Sequence, residues 1–361
     1  MPVESPGGSD DALCDPTLTV SPGCEVPPRT VLIVWPTIAL GRRRCGRSHM
    51  VSEDGRNRQI SEAMTPTSRI VSRWAPAVVW LSLPLTAGSS FADALAGRST
   101  AVALTAAIGL WSLWLIGLIA SLVPSSVSLT TIRILMPASV IAAGWAAVSA
   151  PDGTDIAHSS ALGVTSLCAV LSLSAAVGYM FINGSSYGDE RRFPLRPPGP
   201  VVLGPLELVW VVMTGTTLAG PMLLAARAWI PGAIVSVVAV ATCVGGARAL
   251  HQLSRRWLVF VPAGVVLVDR STLLDALLVQ RHTLRSIGPA AEDSSAIDLS
   301  AGAIGLQLEL RLTDTDSIIP TPARRNRRQV IEPVEVDAVR FTPSRPGWVL
   351  EAASERRLTV D

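Results

Sequence analysis

Gly184-Ser185-Ser186-Tyr187-Gly188 matches G-x-S-x-G, the pattern of a nucleophile elbow. That chemistry needs a sharp strand–turn–helix to expose the serine, with an acid and a histidine later in the chain. Here the pattern ends a long apolar run and leads into a proline-rich loop, Arg191 to Pro200. His251 and His282 lie downstream, but the four histidines are scattered and form no pairing, so the context argues against acyl transfer. Asn183-Gly184-Ser185 is also an N-x-S sequon, on the side that the charge pattern assigns to the cytoplasm, where it is inert. Cys14, Cys24 and Cys45 are separated by nine and twenty residues, far from paired metal-ligand spacing, and read as reduced thiols. Walker A, HExxH and helix-opening G-x-G-x-x-G patterns are missing. The sequence therefore offers no catalytic, metal-binding or cofactor-binding residue.

Two other groups of polar residues remain. Ionised side chains inside apolar runs are costly and are the default functional suspects in a membrane. Asp93, Arg133, Glu207 and Arg227 are of this kind, all within a turn or two of the end of a run, where snorkelling or headgroup contact explains them. Glu207 is the short one, and it stands either as a transport residue or as an ion-pair partner of Arg191 or Arg192. The second group is Arg324-Arg325-Asn326-Arg327-Arg328, four cations in five residues, balanced by Asp314 and Asp316 nearby. Near an anionic bilayer each Arg contributes about 1 kcal/mol of attraction. Nucleic acid is a poorer match, because the fourteen Arg that follow Leu250 are offset by fourteen acids.

The elements that carry these residues are plain. Six apolar runs follow one another: Trp74–Ala92, Ala101–Val123, Leu129–Ala150, Ser160–Ile182, Leu203–Ala226 and Ile230–Ala249. Each supplies the roughly 20 residues that cross a ~30 Å hydrocarbon core as a helix. The first is the least apolar, interrupted by Pro76 and Pro84, whereas the second and fourth are clean. Charged residues make up 16% of the chain, against about 25% in a soluble domain. Only thirteen lie between Trp74 and Leu250. All thirty basic residues are Arg, which fits a GC-rich genome better than selection of Arg at each site. Small residues at four-residue spacing (Ala142, Ala146 and Ala150; Ala161, Thr165 and Ala169; Ala241 and Gly245) allow close helix approach.

Arg placement gives the orientation. Arg56, Arg58, Arg69, Arg73, Arg133, Arg191, Arg192, Arg196, Arg248, Arg255 and Arg256 fall on one side, and only Arg98 and Arg227 on the other. Both termini are therefore expected in the cytoplasm of a multi-pass cell-membrane protein. A reporter active only outside the membrane, fused after Asp361, should be silent; inserted near Gly153 it should be active. The reverse pattern would overturn the orientation.

Residues 1–70 are rich in Pro, Gly, Ser and Asp, carry eight Arg against eight acids, and show no sustained periodicity, which predicts a disordered tail. Val31–Leu40 is too short to span and is followed, not preceded, by its Arg cluster, unlike a secretory signal. Met64 opens a compact basic lead-in to the first run and is a plausible alternative start.

Residues 255–361 read as a mainly-β domain. Trp257–Val261 and Val265–Asp269 flank Pro262-Ala263-Gly264, a hairpin signal. Ala276–Arg281, Thr283–Ile287 and Val334–Phe341 read as further strands. Ile304–Leu312 alternates strictly, with Ile304, Leu306, Leu308, Leu310 and Leu312 on one face. Pro346–Arg357 closes the chain as a helix. Short successive strands, a tight first hairpin and one terminal helix (SRPGWVLEAASERRL) resemble bacterial PH-like domains attached to multi-pass membrane proteins. With RRWLVFVPAGVVLVD just after the last span, the combination also looks like functionally uncharacterised actinobacterial membrane proteins. The resemblance implies a barrel of two packed sheets capped by the helix. Lipid-binding members place basic residues around the first hairpin, where this chain has Val-Pro-Ala-Gly-Val.

The expected architecture is an α-helical transmembrane bundle of about six spans (74–250) followed by a soluble mainly-β PH-like domain with a C-terminal helix (255–361). The expected function is a non-enzymatic membrane scaffold or anchor. Its β domain would engage a protein partner or, through Arg324, Arg325, Arg327 and Arg328, the anionic inner leaflet. A small-solute transporter using Glu207 is the alternative, and an intramembrane enzyme a third class.

Overall fold

The computed structural model describes residues 66–149, 155–202, 204–321 and 332–361. Among them are six helical segments long and apolar enough to cross a membrane. The first comprises α1 (Pro66–Leu81) and α2 (Leu83–Leu95), followed by α3 (Thr100–Leu122) and α4 (Ser126–Val148). The fourth is α5 (Ile156–Leu173), and a separate short helix, α6 (Ala175–Asn183), follows it. A single turn, α7 (Gly199–Val202), leads to α8 (Pro205–Ala225), and α9 (Trp229–Ser254) completes the bundle. Their outward faces stay apolar: Leu104, Trp111, Val237 and Val240 are more than half exposed. A water-soluble protein rarely exposes such a surface, whereas lipid covers it. The chain is built as a multi-pass membrane protein.

Polar side chains settle the helix ends. Ser99, Asp155 and Ser174 accept hydrogen bonds from the backbone N–H groups of Val102, His158 and Val177, satisfying donors that the first turn leaves free. Ser174 changes the expected picture, because the fourth apolar run, Ser160–Ile182, is not one helix. Its backbone is extended there (φ −64°, ψ 145°), and its hydroxyl caps a second helix. A run of apolar and small residues carries no signal for that break.

Inside the bundle, Pro84 deprives the Trp80 carbonyl of its i+4 donor. The Trp114 indole N–H supplies one at 3.1 Å, and the Trp80 indole N–H donates in return to the Trp114 carbonyl at 2.8 Å. Gly117 makes this possible, since a Cβ there would lie 2.6 Å from the Trp80 ring. The contact positions on α9 differ from the sequence reading. Gly246 packs on Val209 and Met213, while Gly245 and Ala241 face outward.

The rest of the chain forms two four-stranded sheets and a helix. The first sheet has the order β1-β2-β3-β4, from Arg191–Pro194, Trp257–Val261, Gly264–Val268 and Leu277–Gln280. The second has the order β5-β7-β8-β6, from Leu284–Pro289, Leu308–Ile318, Val334–Phe341 and Ile297–Asp298. Helix α10 (Pro346–Glu355) adds Val349, Ala352 and Ala353 to the core the sheets share, around Leu258, Phe260, Ile287, Leu308, Val339 and Phe341. Two details depart from the sequence reading. The alternating run becomes a strand only at Leu308, leaving Ile304 and Leu306 exposed. The β region also extends beyond 255–361, because β1 comes from the loop between the fourth and fifth spans and pairs antiparallel with β2.

Candidate functional site at the base of the helix bundle

The loop strand β1 is fixed to the bundle before it joins the sheet. The Asn183 side chain, at the end of α6, donates to the Arg192 carbonyl at 2.7 Å and accepts from the Arg192 N–H at 2.8 Å. It pairs with one residue of β1 as a neighbouring strand would. Tyr179, one turn earlier, packs at 5.5 Å against Phe193 and edge-on at 5.3 Å against Trp348 of α10, and Phe193 lies 5.5 Å from Phe260. Such aromatic pairs contribute about 0.5–1.5 kcal/mol each beyond the area they bury. Arg191 pairs with Glu355, and Arg356 donates to the Asp189 carbonyl. In the other direction, Trp257 of β2 packs against the bundle's own core. Bundle and sheets keep separate cores, tied together through Tyr179 and Trp257.

A buried ion pair sits where the chain leaves α9. Arg256, 2% exposed, meets Asp269 through two charge-assisted bonds of 2.8 and 2.6 Å. Its third nitrogen donates to the Arg196 carbonyl at 2.7 Å. Asp269 also accepts from the Ser271 N–H at 3.0 Å and the Ser271 hydroxyl at 2.6 Å. The pair clamps the start of β2, the end of β3 and the loop after β1. In the sequence alone, Arg256 is only one of the Arg that mark topology.

Between the bundle and the outer face of the first sheet lies a crevice of ≈ 470 Å³. Alternation along β2 puts Leu258 and Phe260 inward, and so Trp257, Val259 and Val261 outward. Register places Val266 beside Val259 on the same face. These valines and the indole form one wall, with Ser126 of α4, His251 and Arg255 at the end of α9, and Glu190 and Arg192 of the loop completing it. The Arg192 guanidinium lies over the Trp257 ring at 5.7 Å and pairs with Glu190 at 2.8 Å. His251 Nδ1 lies 3.3 Å from the Thr130 hydroxyl, which is 2.8 Å from that of Ser254. A cationic rim over an apolar wall, at the ends of membrane spans, suits an amphiphilic anion.

The residues singled out from sequence are placed as follows. Glu207 turns back on its own helix, where its carboxylate accepts the Gly204 N–H at 2.9 Å and closes a cap. A carboxylate in the first turn also complements the helix dipole. Arg191 and Arg192 are paired with Glu355 and Glu190 instead of with Glu207. Ser186 donates to the Asn183 carbonyl at 2.7 Å, in a turn that follows a helix. Arg133 donates to the Ser172 carbonyl at 3.3 Å, beside the break in the fourth apolar run. Asp93 and Arg227 are exposed. Arg324, Arg325, Arg327 and Arg328 lie outside the described residues, as do Met64 and the first three cysteines. Among the described residues, no group of three His, Cys, Asp or Glu is placed to hold a metal ion. A second cavity of ≈ 570 Å³ lies within the bundle, lined chiefly by apolar residues such as Trp80, Phe91, Trp111 and Met213. Compared with known proteins, the chain matches no family model, no curated protein and no solved structure.

Proposed function

We propose that the protein is a non-enzymatic membrane scaffold whose PH-like β domain is held at the cytoplasmic face, engaging the anionic inner leaflet or a protein partner there. The observation that carries this reading is the double attachment of the β domain. One strand arrives from the loop after the fourth span and the rest from the chain after the sixth, and they meet in one sheet. Such a domain is tied to the bundle at two points. Two four-stranded sheets around one core with a terminal helix support the PH-like assignment. The local capping role of Glu207 favours the scaffold over solute passage. The break at Ser174, with Arg133 against the end of α5, favours transport, since transporter sites use interrupted helices.

Leu278 pairs with Val266 and so shares the bundle-side face of the first sheet. A fluorophore at Leu278→Cys, in an otherwise cysteine-free full chain in nanodiscs, should be quenched by headgroup-labelled lipid. Quenching should be stronger in anionic than in neutral nanodiscs. It should fall when Arg324, Arg325, Arg327 and Arg328 become Gln, and at salt well above the ~8 Å screening of physiological buffer. Equal, weak quenching in both nanodiscs would remove the leaflet role and leave a protein partner.

A further inference from the structure

We propose that the crevice between the bundle and the first sheet is a binding site for the phosphate of an anionic lipid, with Arg255 and Arg192 as its principal ligands. This deepens the leaflet reading above and rests on it for the side of the membrane. Arg255 is exposed and lines the crevice, and its guanidinium has no hydrogen-bond or ion-pair partner among the described residues. An Arg at a helix C-terminus gains a little from the helix dipole alone. That gain does not require a second guanidinium across a shared concavity, nor an indole holding the second one in place. Stacking on Trp257 and pairing with Glu190 fix the orientation of Arg192, so little freedom is lost when it binds.

Charge sets the ligand class. Two Arg against one Glu leave a net single positive charge with His251 neutral, which complements a phosphodiester monoanion. Ser126 stands at the start of a 23-residue helix, where the Ser125 hydroxyl already caps the Ser128 N–H and the helix dipole adds a modest preference for anions. The valines on the sheet side are useless to a free inorganic anion. They suit the glycerol and upper acyl carbons of a lipid whose phosphate sits on the rim. Phosphate is the shared chemistry of both sources, and the apolar wall selects the lipid.

The test uses the full chain, purified and reconstituted with equal amounts of phosphatidylglycerol and phosphatidylcholine, with retained lipid counted by native mass spectrometry. Wild type should retain phosphatidylglycerol preferentially. Arg255→Gln should reduce that preference about fivefold, the equivalent of the ~1 kcal/mol per Arg near an anionic surface. Arg255→Lys should restore most of it. Because the Arg255 side chain has no hydrogen-bond or ion-pair partner among the described residues, the variant should melt with wild type. Equal retention of the two lipids by wild type, or an unchanged preference in Arg255→Gln, would overturn the site. Displacement of bound lipid by millimolar inorganic phosphate assigns the crevice to the free anion, and persistence assigns it to the lipid. The result is separable from the scaffold test. Loss at Arg255 with no quenching at position 278 keeps this site and removes leaflet docking, and the converse removes this site alone.

Discussion

Asp269→Asn should destabilise the β region by about 3–5 kcal/mol, the cost of removing one partner from a buried ion pair. Asp269 gathers four donors, two from Arg256 and two from Ser271, in a place with 0% side-chain exposure. The neutral amide presents N–H where an acceptor is needed and leaves the Arg256 charge buried without its counter-ion. Domains are stable by only about 5–15 kcal/mol, so a loss of that size exposes the β region to proteolysis. The effect should reach the strand from the loop, because Arg256 also holds the Arg196 carbonyl. Replacing both partners with apolar residues, Arg256→Met with Asp269→Leu, should recover most of the loss, since buried pairs exchanged whole are often neutral. Hydrogen exchange on wild type and these two variants reads the loss and the recovery at the strands themselves. Protection of β2 and β3 in Asp269→Asn equal to wild type would show that water reaches the pair and that the clamp is weak.

The parts of this fold that were legible in the sequence are those written in periodicity. Six apolar runs of span length became six membrane-length helical segments, and the hairpin at Pro262-Ala263 joins β2 and β3 with Val261 opposite Gly264. Nonlocal features were not legible. Arg191–Pro194 carries two Arg and a Pro in four residues and reads as loop; its partner β2 lies some sixty residues away, and only the alternation of Phe193 and Leu195 hinted at a buried face. Arg256 adjoins Arg255 in sequence, and nothing local separates the buried one from the exposed one. The separation comes at the helix end: Arg255 caps α9, and Arg256, one residue before β2, turns toward Asp269. Continuous apolar runs in β2 and β3 did carry a signal, because strands apolar on both faces are covered on both. Here the core covers one face, and the other lines the crevice against the bundle. The break at Ser174 left no mark, as serine is ordinary in an apolar helix and caps the next one only when the chain bends.

The second large effect follows from the borrowed strand. A fragment of residues 255–361 lacks β1, and it should aggregate or exchange its amides fast instead of folding as an independent domain. Two core side chains go with the strand, Phe193 at 4% and Leu195 at 6% exposure. Burying an apolar side chain of this size contributes about 1.5–3 kcal/mol, so the two together approach the stability of a small domain. The Arg256 guanidinium loses the Arg196 carbonyl, and the edge of β2 is left with open backbone groups that recruit other chains. The register supplies the repair. Pro194 lies opposite Trp257, so the end of β1 sits beside the start of β2. Residues 189–197 joined to Arg255 by a Gly/Ser linker of about four residues, within the usual hairpin range, should give a soluble monomer with protected strands. If 255–361 alone is monomeric and as well protected as that fusion, β1 merely rests on a finished domain, and the double attachment that supports the scaffold reading fails with it.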